Sequence, residues 1–205
     1  MLTLASQVDR VVTALRDRAL RDGNDVYLVA VVGIPGSGKS TLCEALARQL
    51  PGAIVVPMDG FHFPRQQLTQ EAMQRRGAPY TFDLAGLKAD LERLRCNHSG
   101  SFPAFDHAVK DPEQDAIHVT QECPLVIVEG NYLLLNEWNL ADLFDLTIFL
   151  DCDLSIAMER VKHRLFTCGI APSRVEAAQR VDCNDRINAQ LILADGGRER
   201  ADMVL

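Results

Sequence analysis

From residue 33 to residue 41 the chain reads Gly33-Ile34-Pro35-Gly36-Ser37-Gly38-Lys39-Ser40-Thr41: glycine, any four residues, then glycine, lysine and serine. Glycines at this spacing let the backbone curl until successive N–H groups, and the start of the helix that follows, face one anion. Lys39 is placed to reach the β and γ phosphates of a nucleoside triphosphate, and the Ser40 hydroxyl to ligate a magnesium ion. Gly33, Pro35, Gly36, Ser37, Gly38 and Thr41 complete this candidate nucleotide site.

Chemistry at a γ-phosphate also needs carboxylates beside it. Asp59 closes one apolar stretch at 53–58 and Glu129 closes another at 125–128, so both are expected at strand ends, where ligands gather in open α/β sheets. A turn or helix cap is the competing reading for each. Asp151-Cys152-Asp153 precedes a helical pattern and reads more simply as a cap. A basic set comes next. Arg160, Lys162, His163 and Arg164 fall within five residues, and Arg174 follows a break at 169–172. Arginines beside a hinge suit a lid that closes over a triphosphate; a solvated helix face explains the same cluster.

Several elements must position these residues. Residues 26–32, after the turn signal Asp22-Gly23-Asn24-Asp25, form a continuous β-rich apolar run, as expected of a strand covered on both faces. Leu42, Ala45, Leu46 and Leu50 then give a helical stripe that stops at Pro51-Gly52. Asp83 is placed to cap a helix carrying Leu84, Leu87, Leu91 and Leu94. The Pro-, Asp-, Ser- and His-rich region 97–121 reads as a long loop with one short strand at 117–119. Buried strands are expected at 125–128 and 146–150, and helices at 153–168 and 173–182. Residues 191–194 and 201–205 flank Asp195-Gly196-Gly197, which suggests a closing strand or hairpin. At the N-terminus Val8, Val11, Val12 and Leu15 share one helical face. The alternation predicts an α/β fold of three layers, a mainly parallel sheet flanked by helices.

Composition bounds the rest. At 205 residues and 47% hydrophobic the chain suits one domain over 1–205. A net charge of −7 argues against a broad surface for nucleic acid or anionic lipid, and no apolar run approaches a membrane span. Six cysteines without a C-x-x-C pair suit reduced thiols and a cytoplasmic location. The oligomeric state is open, a homodimer included.

The phosphate loop is followed in order by Met58-Asp59-Gly60-Phe61-His62, Arg76-Gly77-Ala78-Pro79-Tyr80-Thr81-Phe82-Asp83, Pro103-Ala104-Phe105-Asp106, Val128-Glu129-Gly130-Asn131-Tyr132 and a late Asn184-Asp185. This ordered set resembles the uridine kinase, pantothenate kinase and phosphoribulokinase superfamily over about residues 25–195, and most of all its bacterial branch of fructose-transport-associated kinases. The resemblance implies a P-loop kinase fold and transfer of the γ-phosphoryl group of ATP, with Mg2+, to a hydroxyl of a small metabolite such as a sugar, a nucleoside or a pantothenate-like compound. It makes Asp59 the residue that takes the acceptor's proton or helps place magnesium, and Glu129 the acidic residue near the metal. It puts the lid at about 160–180, with Arg160 and Arg164 as its catalytic arginines, and an acceptor-site insertion at about 60–120, with His62, Arg76, Tyr80, Phe105 and His107 as substrate-binding candidates. Phe61-His62 departs from the aromatic pattern usual in uridine kinases, and no ribulose-phosphate or pantothenate signature is present. A regulatory nucleotide switch without a small acceptor is the alternative. The chain lacks the N-K-x-D and L-S-G-G-Q-like signatures of GTPase switches and transporter ATPases, and its one D-x-x-G match, Asp83 to Gly86, sits at a predicted helix start.

Overall fold

The computed structural model describes residues 2–19, 26–106 and 108–205. His107 and the turn signal at 22–25 lie outside the described residues. Five strands form one all-parallel sheet: β1 (Tyr27–Val32), β2 (Ala53–Pro57), β5 (Leu125–Gly130), β6 (Leu146–Phe149) and β7 (Met203–Val204), in the order β2-β5-β1-β6-β7. Strands β3 (Gly100–Asp106) and β4 (Asp111–Val119) make a separate antiparallel hairpin. Helices α1 (Leu4–Ala19), α2 (Lys39–Gln49), α3 (Gln70–Gln74), α4 (Leu84–Asn97), α5 (Leu154–Thr167), α6 (Arg174–Arg180), α7 (Arg186–Ala194) and α8 (Gly197–Arg200) surround them.

The continuous apolar run of β1 has two covered faces to fill. Val29 and Val31 point to one side, where Val8, Val11, Val12 and Leu15 of α1 and Leu42, Cys43 and Leu46 of α2 pack. Leu28, Ala30 and Val32 point to the other, against a larger cluster that includes Leu87, Leu91 and Leu94 of α4 and Met158, Val161 and Leu165 of α5. Each fully buried leucine contributes about 1.5–3 kcal/mol. The sheet is therefore the middle of three layers, as expected. Among the described residues no helix is long and apolar enough to cross a membrane.

Capping follows the sequence closely. The Asp83 carboxylate accepts from Gly86 N at 2.9 Å and starts α4, so the D-x-x-G match is a helix cap. Asp153 accepts from the N–H groups of Ser155 and Ile156 at 2.8 and 3.2 Å and starts α5.

Two expectations fail. Region 97–121 holds the β3–β4 hairpin, not a long loop; its register shifts between Phe102 and Ala104, so Pro103 sits at an irregularity where no ladder donor is needed. Pairing and the burial of Phe102 outweigh a composition that reads as loop. Residues 191–194 belong to α7, where Ala189 and Ile192 are buried and Leu191 and Leu193 are exposed, an amphipathic helix pattern. The expected helix at 173–182 likewise runs on, through a π-helical turn at Val181–Asp185, into α7. Only β7 remains of the predicted ending, and it pairs in parallel with β6.

Candidate active site

Parallel pairing places the carboxyl ends of β1, β5 and β2 along one edge of the sheet, with Val32 beside Gly130 and Pro57 beside Glu129. Loop 33–41 leaves β1 there. Gly36 and Gly38 hold φ of 80° and 106°, and Ser37 N donates to Ile34 O at 3.1 Å to close the turn before α2 begins at Lys39. A side chain at Gly36 would put its Cβ 2.3 Å from Ala157 O on α5, so glycine is required both for conformation and for close approach.

Lys39 is buried, and its Nζ donates to Ile34 O at 3.2 Å and to Asn131 Oδ1 at 2.8 Å. Burial lowers its pKa, although the nearby Glu129 and Asp59 carboxylates pull the other way. Ser40, in the first turn of α2, donates from Oγ to Glu129 Oε1 at 2.9 Å. Burial raises the Glu129 carboxyl, with Asp59 adding to the rise and Lys39 opposing it. Lysine and carboxylate thus shift towards neutrality together, because desolvation outweighs their mutual attraction. Glu129 is the fifth residue of β5, one short of its end, while Asp59 lies in a 3-10 turn (Met58–Phe61) directly after β2.

These groups line a cleft of about 380 Å³. Of the anticipated residues, Pro35, Gly36, Gly38, Lys39, Ser40, Thr41, Asp59, His62, Arg76, Glu129, Arg160 and Arg164 face it. Gly33 and Ser37 are buried within the loop, Ser37 Oγ without a hydrogen-bond partner among the described residues. Arg160 Nη1 donates to the carbonyls of Gly36 and Ser37 at 3.3 and 3.4 Å, which ties α5 to the phosphate loop. Arg164, one turn further, lines the cleft and has no hydrogen-bond partner for its guanidinium among the described residues. Arg174 instead stands over the Phe166 ring at 5.5 Å.

The opposite wall is assembled from distant segments. Gly60 lets the Asp59 turn press on the hairpin, since a Cβ there would lie 2.1 Å from Pro103 O. The His62 ring stacks on Phe82 at 3.9 Å, and burial lowers its pKa, although the Asp59 carboxylate pulls the other way. Phe105 touches His62 at 5.4 Å and lies under the Arg76 guanidinium, but it does not line the cleft. Tyr80 is 61% exposed in the turn at Pro79–Thr81 and is not among the lining residues. Four lining residues with polar side chains were given no role from sequence: Asn131, Asn184, Asp185 and Asn188. Asn184 Nδ2 donates to Arg76 O at 2.9 Å and Asn188 Nδ2 to Gly77 O at 3.1 Å, and Tyr132 Oη also donates to Gly77 O, at 2.5 Å. The motifs Glu129-Gly130-Asn131 and Asn184-Asp185 hinted at the first three, and nothing in the sequence pointed to Asn188.

Phosphate loop, strand-end carboxylates and arginine-bearing helix around one cleft define a P-loop kinase. A family model described as AAA domain matches residues 29–179. A Schizosaccharomyces pombe protein provisionally named a uridine kinase is 40% identical over 182 residues, 80% of this chain and 77% of its own length. The ATP-dependent kinase YFH7 of Zygosaccharomyces rouxii is 32% identical over 213 residues, 85% of this chain but 56% of its own length. Among solved structures, a provisionally named fructose transport system kinase from Silicibacter sp. TM1040 is 36% identical with a TM-score of 0.84, covering 100% of both chains. The chain belongs to the P-loop family that the AAA-domain model describes and to the uridine kinase-like superfamily of P-loop kinases.

Proposed function

We propose that the protein transfers the γ-phosphoryl group of MgATP to a hydroxyl of a small metabolite, a sugar, nucleoside or pantothenate-like compound, with Asp59 as the base. The observation that carries this reading is the cleft itself. Lys39, Glu129 and Asp59 line it together with a polar far wall of His62, Arg76, Asn184 and Asn188, so it has room for an acceptor beyond the phosphate loop.

The donor set fits magnesium. Ser40 Oγ and the Glu129 carboxylate are hard oxygens, and an ion of this kind keeps waters and takes one or two carboxylates plus phosphate oxygens. Magnesium, when bound, offsets charge on the phosphate oxygens. Among the chain's own residues, Lys39 and the arginines of α5 offset charge on the transferring group, and the loop N–H groups orient it. Asp59 takes the proton of the acceptor O–H. The freed oxygen lone pair bonds to the γ-phosphorus, and the bond from that phosphorus to the β–γ bridging oxygen breaks, its electron pair leaving with ADP.

The test is to incubate purified protein and MgATP with a cellular metabolite extract, then with nucleosides, pantothenate, sugars and sugar phosphates, using Lys39→Ala as the blank. One compound should raise ADP release and gain a phosphate by mass. Slow ADP release indifferent to the extract and to every compound would favour the regulatory switch.

A further inference from the structure

We infer that Asp185 reads the acceptor, and that the acceptor is an uncharged compound with neighbouring hydroxyls rather than a phosphorylated or carboxylated one. This deepens the kinase reading above and rests on it.

The far wall has few free positive groups. Arg76 lines the cleft, but its Nη1 donates to Lys110 O at 2.6 Å and its Nη2 to Phe63 O at 3.2 Å and Asp111 Oδ1 at 2.9 Å. Its Nε is buried and meets no acceptor among the described residues. Arg75 donates to Cys183 O at 2.5 Å and to Asn188 Oδ1 at 3.0 Å. Arg75 and Arg76 are therefore engaged in holding the wall, and Arg65 and Lys110, the other cations a phosphorylated sugar would call on, do not line the cleft. The amides of Asn184 and Asn188 are bound to the Arg76 and Gly77 carbonyls. Burial holds the His62 imidazole below its ordinary pKa, against a positive charge there.

What remains open on this side is carboxylate. Asp185 lines the cleft half-buried, and no donor from another described residue hydrogen-bonds its carboxylate. Burial pushes its carboxyl up even though Arg180, Arg164 and Arg75 oppose the rise. It closes the π-helical turn Val181–Asp185, a local widening in an otherwise continuous helix from α6 to α7; such turns occur frequently at functional sites. A carboxylate is an acceptor only and takes two O–H donors at once, which matches a vicinal diol. With Asp59 on the same cleft, an anionic group placed there would meet two like charges. Arg160 is tied to the Gly36 and Ser37 carbonyls of the phosphate loop, and Arg164, which opposes the rise at both Glu129 and Asp185, is the cation that the kinase reading assigns to the γ-phosphate.

The experiment uses matched pairs with MgATP: D-ribose and D-ribose 5-phosphate, uridine and uridine 5′-monophosphate, glycerol and D-glycerate. ADP release and product mass are measured for each. At least one neutral member should be phosphorylated with kcat/KM at least tenfold above its anionic mate. For that compound Asp185→Asn, checked as folded by thermal unfolding, should raise the acceptor KM at least tenfold and leave the ATP KM unchanged, with Asp185→Glu falling between. A raised ATP KM or a lower kcat with the acceptor KM unmoved would make Asp185 a holder of Arg164 and overturn the inference. Preferred phosphorylation of an anionic member, or none of any neutral one, also overturns it. The kinase reading is judged separately by the metabolite extract, where a phosphorylated product of any charge sustains it.

Discussion

The two walls of the cleft differ in how far apart in sequence their residues stand. Nine consecutive residues, 33–41, build the nucleotide side, and their geometry is set by local backbone rules. The opposite side needs the Asp59 turn, His62, the Arg76-Gly77 turn and the Asn184-to-Asn188 stretch, joined by side-chain bonds across more than a hundred residues of chain. A phosphate site is the same for every triphosphate, so a short reusable loop serves it. An acceptor site must fit one compound, and tertiary contacts are what vary.

Substitutions on the two walls should separate accordingly. The largest effect is expected from Asp59→Asn: a fall in phosphoryl transfer of about 10³-fold, the scale of a lost general base, with ATP affinity by calorimetry unchanged because the loop is untouched. Wild-type turnover in that variant would remove Asp59 from the role of base. Lys39→Ala should lower turnover about 10²-fold and weaken ATP binding as well, which marks it as belonging to the other wall.

Smaller effects test construction rather than chemistry. Gly36→Ala places a Cβ against Ala157 O at a φ of 80° and should cost about 2 kcal/mol, a drop in Tm of about 6 °C for a chain this size. Gly169→Ala, also at positive φ but with nothing within 4 Å, should cost only about half as much; equal losses would mean that the contact with α5 does not matter. Tyr132→Phe removes the donor to Gly77 O, about 1 kcal/mol, and should raise the acceptor KM while the ATP KM stays put.

The smallest effect concerns pH. Burial holds the folded-state pKa of Asp185 above its ordinary 3.8, so the native protein binds that proton more tightly than the unfolded chain does. Its contribution to stability is intact below 3.8 and is lost as pH rises through the window above it. Asp185→Asn should therefore melt higher at neutral pH, with the gain shrinking as pH falls towards 3.8. A lower Tm at neutral pH would mean that the arginines around Asp185 outweigh its burial.

The strands of the main sheet were legible because a parallel strand buried on both faces must be apolar at every position, as residues 27–32 and 125–128 are. Asp83 and Asp153 were legible as caps for a similar reason: a cap bonds within three residues of itself. The β3–β4 hairpin was not, since Pro103, Pro112 and an exposed polar run in β4 carry no strand signal until the partner strand supplies the pairing. Nor was Asn131 as a partner of Lys39, or Asn184 and Asn188 as supports of the Arg76-Gly77 turn, because each bond spans 92 residues or more.

Sequence alone therefore determined the phosphate loop, the positions of the central strands along the chain and the chemical types of Lys39, Ser40, Asp59 and Glu129, all matters of local conformation or of residue identity. Tertiary structure alone decided which arginines stay free for a ligand. Arg76 read as a substrate-binding candidate along the chain, and only folding brought up the carbonyls and the Asp111 carboxylate that occupy it, as it brought the Cys183 carbonyl and the Asn188 amide to Arg75, because a hydrogen-bonding group is spent by whatever lies nearest in space.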